Sequence, residues 1–280
     1  MNNIEQTIQD VPRTGKPALD SIYDLVTGDE DARVCKDIPA ESCNEQPRNF
    51  FAYLGANLLT KVADELASAK LILPWLMGFL GAPTALVGLL VPIREAGVLV
   101  PQLAVAAYIR RLPLRKGVWL LGALLSAAAL GLMALVAGTL DGATAGWAIV
   151  AALVVFSLAR GLCSVSAKDV LGKTVSKARR GNLMGLAAGI AGVLTLGLGL
   201  YLSVTATAEA DATVFVALLG GGALLFAIAA VIFRLIREQP GATEGGGNAL
   251  QTALESIGLL RTDPLFRQFV LVRVALLSVA

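Results

Sequence analysis

Long apolar runs recur along most of this 280-residue chain and restrict its fold more than any other feature. They lie at about residues 55–80, 84–109, 117–140, 146–168, 183–206 and 213–235, and a seventh begins near 266 and reaches Ala280. At 1.5 Å per residue, a helix of roughly 20 residues crosses the hydrocarbon layer of a membrane. The runs are apolar on every side, whereas the strands of a β-barrel alternate. The sequence therefore predicts an all-α integral membrane protein, with a six-helix transmembrane bundle and a partial seventh helix.

The composition excludes several classes of partner and of catalytic or metal site. Hydrophobic residues make up 56% of the chain, charged residues make up 16%, and the mean hydropathy is +0.71, so the lipid bilayer is the expected partner. The net charge of +2, with basic residues at the ends of apolar runs, predicts no nucleic-acid partner. Because the chain has no histidine, a Ser-His-Asp triad and a histidine-ligated metal site are excluded. We expect neither an enzyme nor a protein with a cofactor or a bound metal.

The polar segments predict four regions. Residues 1–49 form an acidic tail, which we expect to be mostly disordered and cytoplasmic. Residues 50–236 form the bundle, and 237–265 form a glycine-rich cytoplasmic linker. Residues 266–280 are too short to cross a membrane comfortably, which predicts a chain cut inside its seventh helix. Cys35 and Cys43 in the tail can pair, but in the cytoplasm we expect them to be reduced.

The connections between the runs predict the orientation. Those near 81–84, 138–145 and 205–213 contain no Lys or Arg, whereas the others are basic. The basic residues are Arg110, Arg111, Arg115, Lys116, Lys173, Lys177, Arg179, Arg180, Arg234, Arg237, Arg261 and Arg267. The positive-inside rule then places the N-terminus in the cytoplasm. We expect a multi-pass protein of the bacterial cytoplasmic (inner) membrane.

Charged residues inside the runs are the candidates for function, because a charge in hydrocarbon needs a partner or an aqueous cavity. Lys61, Asp64 and Glu65 share one face of the first predicted helix, with Lys61 between the two carboxylates. If the first two helices form a hairpin through residues 81–84, Lys70 and Glu95 lie at the same height. Arg94 can then reach towards Asp64 or Glu65.

Two interpretations of these charges stay open. In the functional one, Asp64 or Glu65 binds and releases a proton as its pairing with Arg94 changes, which couples an ion gradient to solute movement. In the structural one, the charges form a static network or lie partly solvated at the cytoplasmic interface. Arg160, in the fourth run, either lines a cavity or extends to the interface. Gly181, Gly185 and Gly189 predict close packing of the fifth helix against a neighbour.

The arrangement of the runs resembles the major facilitator superfamily over roughly residues 50–280. The shared features are six helices, a cytoplasmic N-terminus, basic loops after helices two and four, and a long linker before helix seven. In sequence, the segment from Leu73 to Leu103 is similar to the first hairpin of bacterial permeases of that superfamily. Arg115-Lys116 matches the basic end of its loop motif, Arg160 matches its arginine in helix four, and Arg180-Gly181 resembles the start of its helix five.

The loop motif and helix four also depart from the superfamily pattern. Ala107 and Arg111 stand where the loop motif has Gly and Asp, and Cys163-Ser164 stands where Gln and Gly are common. The resemblance implies two six-helix bundles that rock around a central site. It therefore implies a secondary active transporter of a small solute, with a proton or another ion as the coupling partner.

A full transport path would need a C-terminal half or a second copy of this chain, because only the first bundle is present. The alternative function is a six-helix scaffold or sensor that dimerises through the glycines of helix five. The sequence does not indicate the substrate, the coupling ion or the direction of transport.

Overall fold

The computed structural model describes residues 18–27, 38, 40–104, 109, 111–205, 211–241, 258 and 262–279. These residues are almost entirely helical, and the helices are α1 (Ala18–Thr27), α2 (Ala40–Asn44), α3 (Gln46–Leu66), α4 (Ile72–Phe79), α5 (Thr84–Ala104), α6 (Lys116–Thr139), α7 (Gly142–Thr174), α8 (Lys177–Thr205), α9 (Ala212–Arg234) and α10 (Pro264–Val279). The described ranges contain no strand, which confirms the all-α prediction.

Among the described residues, four helices are long and apolar enough to cross a membrane: α6, α7, α8 and α9. Their side chains include many large apolar residues that stay exposed, among them Leu135, Val193, Leu196 and Val231. In water such a surface would cost free energy, whereas hydrocarbon solvates it. This finding supports the prediction of a membrane protein.

The first predicted helix, at about 55–80, is two helices in the structure. The segment from Ala67 to Leu71 separates α3 from α4. Pro74 explains the break, because its ring would clash with the carbonyl of Lys70, one turn earlier in a continuous helix. Pro74 itself lies in the first turn of α4, where a missing N–H costs nothing. The interruption of the helix is complete and lies one turn before Pro74.

The helices pack in a pattern that repeats within the chain. α3 packs against α8 and α9, while α7 packs against α5 and α6, and α6 packs against α9. If the chain is divided before α7, the first long helix of each part packs against the second and third helices of the other part. The third helices then pack against each other. Exchanging the two parts leaves this list of neighbours unchanged.

The two ends of the assembly differ in charge. At one end, Gly142 N donates to Leu80 O at 2.7 Å, and Phe215 packs against Trp75, with ring centroids 4.7 Å apart. At the other end, Asn49 hydrogen-bonds to the backbone of Arg237, and the loops around it carry the basic residues. The connections that contain no Lys or Arg thus lie opposite the basic ones.

The N-terminal region contains more structure than predicted. α1 docks on α3 through Tyr23, whose ring packs edge-on against Phe50 at 5.3 Å, and Asn182 Nδ2 donates to Val26 O at 2.9 Å. Residues 18–27, 40–44 and 46–49 are helical, so these parts of the tail are structured. Cys43 is disulfide-bonded, so the expectation of a reduced thiol at this position is also wrong.

The glycines of the fifth predicted transmembrane helix lie on α8, and they do not pack against another described helix. A methyl group added at Gly181, Gly185 or Gly189 would meet nothing within 4 Å, so the predicted neighbour is not found among the described residues. In α8, 17% of the most apolar stretch is buried, whereas 50% of the corresponding stretch is buried in α6 and in α7. One face of α8 is therefore open. Most of the linker predicted at 237–265 lies outside the described residues.

Candidate functional site

Asp64 lies between two arginines that come from different helices. Arg160 binds both carboxylate oxygens of Asp64, with its Nε 2.9 Å from Oδ1 and its Nη2 2.6 Å from Oδ2. Arg94 Nη2 lies 2.9 Å from Oδ1 of the same carboxylate. Paired N–H groups that face a carboxylate in this way form one of the stronger ion-pair geometries in proteins. Asp64 thus ties α3 to both α5 and α7.

The cluster lies well inside the helix assembly. Arg94 is the middle residue of the 21-residue α5, and Arg160 lies just past the middle of the 33-residue α7. At 1.5 Å per residue, each arginine is roughly 15 Å or more from either end of its helix. Asp64 lies in the last turn of α3, directly before the break at Ala67. The side chains of Asp64, Arg94 and Arg160 are 23%, 19% and 18% exposed, so the cluster keeps some access to its surroundings.

Two glycines let the flanking helices approach beside the cluster. A methyl group on Gly97 would lie 2.5 Å from Ser157 Cβ, closer than carbon atoms can pack, so α5 and α7 touch here only because residue 97 has no side chain. A methyl group on Gly222 of α9 would lie 3.0 Å from Leu130 and 3.5 Å from the Ala63 carbonyl oxygen. Gly97 is one turn from Arg94, and its contact therefore brings the two arginines to one carboxylate.

Aromatic rings support both guanidinium groups. The Arg94 guanidinium carbon lies 4.7 Å from the centre of the Phe156 ring, and that of Arg160 lies 5.2 Å from the centre of the Phe226 ring. The two rings contact each other edge-on at 5.8 Å. A cation above an aromatic face gains about 0.5–2 kcal/mol, more where water is excluded. The rings therefore help to hold positive charge in an apolar part of the molecule.

The charges of the cluster do not balance. Two guanidinium groups share one carboxylate, which leaves one excess positive charge. Arg94 Nη1 is buried and has no hydrogen-bond partner in the described part of the chain. A buried N–H of this kind is costly unless something binds it. The arrangement can accept a further anionic group.

A cavity of about 180 Å³ adjoins the cluster, and Arg160 lies on its wall. Its polar lining comes from α3 and α7, with Tyr53, Asn57 and Thr60 on one side and Ser164 and Lys168 on the other. None of the described residues that line it is an acid. Trp119 and Phe233, stacked at 3.8 Å between ring centres, add an apolar wall. The sequence left two roles open for Arg160, and the structure places it at a cavity.

The other predicted site residues lie apart from this cluster. Glu65 and Glu95 are exposed and have no ion pair within the described residues. Lys70 is exposed in the break between α3 and α4, and it does not pair with Glu95. Lys61 pairs with neither Asp64 nor Glu65. Of the carboxylates proposed for coupling, the structure brings Asp64 to Arg94 and leaves Glu65 on the outside.

A second buried carboxylate, Glu238, was missed in the sequence. Its oxygens accept hydrogen bonds from the backbone N–H groups of Arg115 (2.9 and 3.0 Å) and Lys116 (2.7 Å), and from Lys173 Nζ (3.0 Å). It therefore caps the start of α6 and binds the end of α7. One feature of the sequence could have indicated it, since Glu238 is the one acidic residue between Asp211 and Glu244.

Comparison of the chain with models of protein families, with curated proteins and with solved structures found no match.

Proposed function

We propose that the chain forms the first bundle of a secondary active transporter for a small solute, in which Asp64 takes up and releases a proton. The observation that carries this proposal is the sharing of Asp64 by Arg94 and Arg160 across three helices. Ionisable groups at this depth are costly, and in transporters they mark ion and substrate pathways. The resemblance to the major facilitator superfamily agrees with this function but rests on the helix pattern and short motifs alone.

The packing pattern supports a transporter architecture with six crossings. In the proposal, α3 together with α4, and α5, each cross the membrane alongside the four apolar helices α6 to α9. The part of the chain before α7 and the part that begins with α7 would then have three crossings each. Because three is odd, they would have opposite orientations in the membrane. Inverted repeats of this kind are common in secondary transporters, where substrate sites lie near the midplane.

The proposed orientation follows from the distribution of charge. The end with Lys116, Lys173 and Glu238 would face the cytoplasm of a bacterium, and the end with Leu80 and Gly142 would face outwards. The protein would therefore belong to the bacterial inner membrane. A C-terminal half or a second copy would complete the central cavity.

The proposed coupling step is electrostatic. When Asp64 is charged, both arginines are drawn to it, and α3, α5 and α7 are tied together. When a proton neutralises Asp64, the attraction falls and the arginines can turn elsewhere. The break after Leu66 would let the part of the crossing beyond Asp64 move separately from α3. A proton gradient would thus be linked to a change in helix packing.

The test uses the protein purified from its native membranes, together with its C-terminal half or second copy, and reconstituted into liposomes that enclose a pH-sensitive dye. Solutes from a panel of small acids, bases and neutral compounds are added while a proton gradient is imposed. We expect at least one solute to cause proton movement with the natural protein and none to do so with Asp64→Asn. Glu65→Gln is the matched control, because its carboxylate is adjacent in sequence but exposed.

Two results would contradict the proposal. One is proton movement in Asp64→Asn that equals that of the natural protein at equal protein content. The other is the absence of solute-dependent proton movement with the whole panel.

The open face of α8 favours a second candidate, a scaffold that dimerises through this helix. Gly185 and Gly189 line a shallow groove there with Leu186, Ile190 and Val193. A native mass in membranes of twice the 29.0 kDa of the chain, without solute-dependent proton movement, would favour the scaffold. A larger single polypeptide recognised by an antibody to residues 1–49 would favour the two-bundle transporter.

A further inference from the structure

The cluster and the adjoining cavity share an excess of positive charge. Arg94 and Arg160 face a single carboxylate, and Lys168, an exposed cation, lies at the edge of the cavity. The nearby acids Glu65 and Glu95 are exposed and form no ion pair with these residues in the described part of the chain. A membrane-embedded region with unbalanced cations favours an anionic ligand, because an anion lowers the cost of burying them.

The guanidinium groups of the cluster are of the type that binds a carboxylate, and Arg160 also lines the cavity. A guanidinium has five N–H donors in a planar fork that matches two carboxylate oxygens. Arg160 uses two of its donors on Asp64, and Arg94 uses one. Arg94 Nη1 is buried without a partner among the described residues. Ser164 Oγ, which lines the cavity, accepts from Gln102 Nε2 at 3.2 Å and so keeps its own O–H to donate.

The size and walls of the cavity limit the rest of the ligand. A volume of about 180 Å³ corresponds to roughly six water molecules at about 30 Å³ each. Trp119, Phe233 and Met184 supply apolar surface opposite the polar donors. An inorganic anion would leave this apolar surface unused, whereas a small organic anion would contact both sides.

We infer that the site binds a small organic carboxylate, which competes with Asp64 for the guanidinium groups of Arg94 and Arg160. This inference rests on the proposed function and names the substrate class of the same site. Protonation of Asp64 frees the two arginines, and the carboxylate of the ligand takes its place. A proton and an anion therefore bind together, which corresponds to symport of a carboxylate with a proton.

The competition predicts the direction in which carboxylate affinity changes when Asp64 is replaced. Replacing Asp64 by Asn removes the internal competitor and keeps the shape of the side chain, so carboxylate affinity rises several-fold. If Asp64 instead bound a cationic ligand, the same substitution would abolish binding. Arg160→Gln removes a donor that the ligand needs, and carboxylate binding is lost.

The experiment is isothermal titration calorimetry of the purified full chain in detergent. The probes are the sodium salts of lactate, succinate and benzoate, with lactamide, succinamide and benzamide as uncharged counterparts of similar shape. We expect saturable binding of at least one carboxylate and of none of the amides. Arg94→Gln provides a second loss variant in case Arg160→Gln does not fold, and the comparison of acid with amide needs no variant.

Three results would overturn the inference: no saturable carboxylate binding to the natural protein, equal binding of an acid and its amide, or loss of carboxylate binding in Asp64→Asn. Its failure can be told apart from that of the proposed function. If a neutral or cationic solute drives Asp64-dependent proton movement in liposomes, the transporter stands and the carboxylate is wrong. If carboxylates bind but none moves protons, the inference stands and the transporter is wrong.

Discussion

Glu238 and Asp64 are carboxylates inside the described helix assembly, and they are held in different ways. Glu238, at the basic end, has a fully buried side chain and accepts from the backbone N–H groups of Arg115 and Lys116 as well as from Lys173. Asp64, at mid-depth, is 23% exposed and is bound by the side chains of Arg94 and Arg160. Backbone donors at a helix start are fixed in place, whereas arginine side chains can rotate away.

The difference separates a structural tie from an exchangeable one. Glu238 joins the start of α6, the end of α7 and the segment after α9, and its two backbone donors cannot leave without unwinding the start of α6. Asp64 joins three helices through donors that another anion, or a proton on Asp64, can release. A buried ion pair is therefore not by itself a sign of function, and the mobility of its donors is the better guide.

The largest expected effect is the loss of the Glu238 tie. Glu238→Ala removes the carboxylate that pairs with Lys173 and leaves the backbone N–H groups of Arg115 and Lys116 without their acceptor, which should lower the free energy of unfolding by about 3–5 kcal/mol. Unfolding by denaturant in micelles, followed by circular dichroism, measures the change. Glu45→Ala is the control, because Glu45 pairs with the exposed Arg237 and should cost about 0–1 kcal/mol. Similar losses of stability in both variants would show that Glu238 is no stronger a structural tie than an exposed ion pair.

A smaller loss of stability is expected for Asp64→Asn. Asn keeps one acceptor oxygen, and the partly exposed arginines can turn towards the cavity, so the loss should be about 1.5–3 kcal/mol in the same titration. Glu65→Gln, one residue further along α3 and exposed, should change stability by less than about 0.5 kcal/mol. If Asp64→Asn cost as much as Glu238→Ala, Asp64 would be a structural tie of the same kind.

The third prediction concerns the helix contact that positions the exchangeable tie. Gly97→Ala should force α5 and α7 apart beside the cluster, with a cost of about 1–3 kcal/mol, and should reduce solute-dependent proton movement in liposomes. Gly88→Ala lies on the same helix with nothing within 4 Å of the added methyl group, so we expect no loss of either stability or proton movement. Equal behaviour of the two variants would show that the close contact at Gly97 is not needed.

Much of the fold could be predicted from the sequence, because lipid-facing helices must be apolar over a length set by the membrane. The apolar runs gave α6 to α9, and the hairpin geometry gave the approach of Arg94 to the acids of the first helix. The choice of Asp64 over Glu65 depends on the rotation of α3 against α5 and α7. That rotation is set by packing contacts of α3, such as Ala63 with Gly222 of α9, which no local pattern reveals.

Other features were out of reach for the same physical reason. Arg160 is 96 residues from Asp64, and Glu238 is 123 from Arg115, so both ties are set by tertiary packing. The spacing of Gly181, Gly185 and Gly189 indicates a surface for close contact but does not say whether the contact is inside the chain. The break at Ala67 follows from Pro74, and it lies a turn before the proline because the ring clashes with the residue four positions earlier.

The order of synthesis matters for Asp64, because its partners lie 30 and 96 residues later in the chain. In the proposed membrane arrangement, the first crossing leaves the ribosome with a carboxylate that costs roughly 2.5–3.5 kcal/mol to insert alone. It can settle fully only when α7 has been translated and Arg160 arrives. The insertion machinery would therefore have to retain the first crossing at its lateral gate, and release it together with the helices that neutralise it.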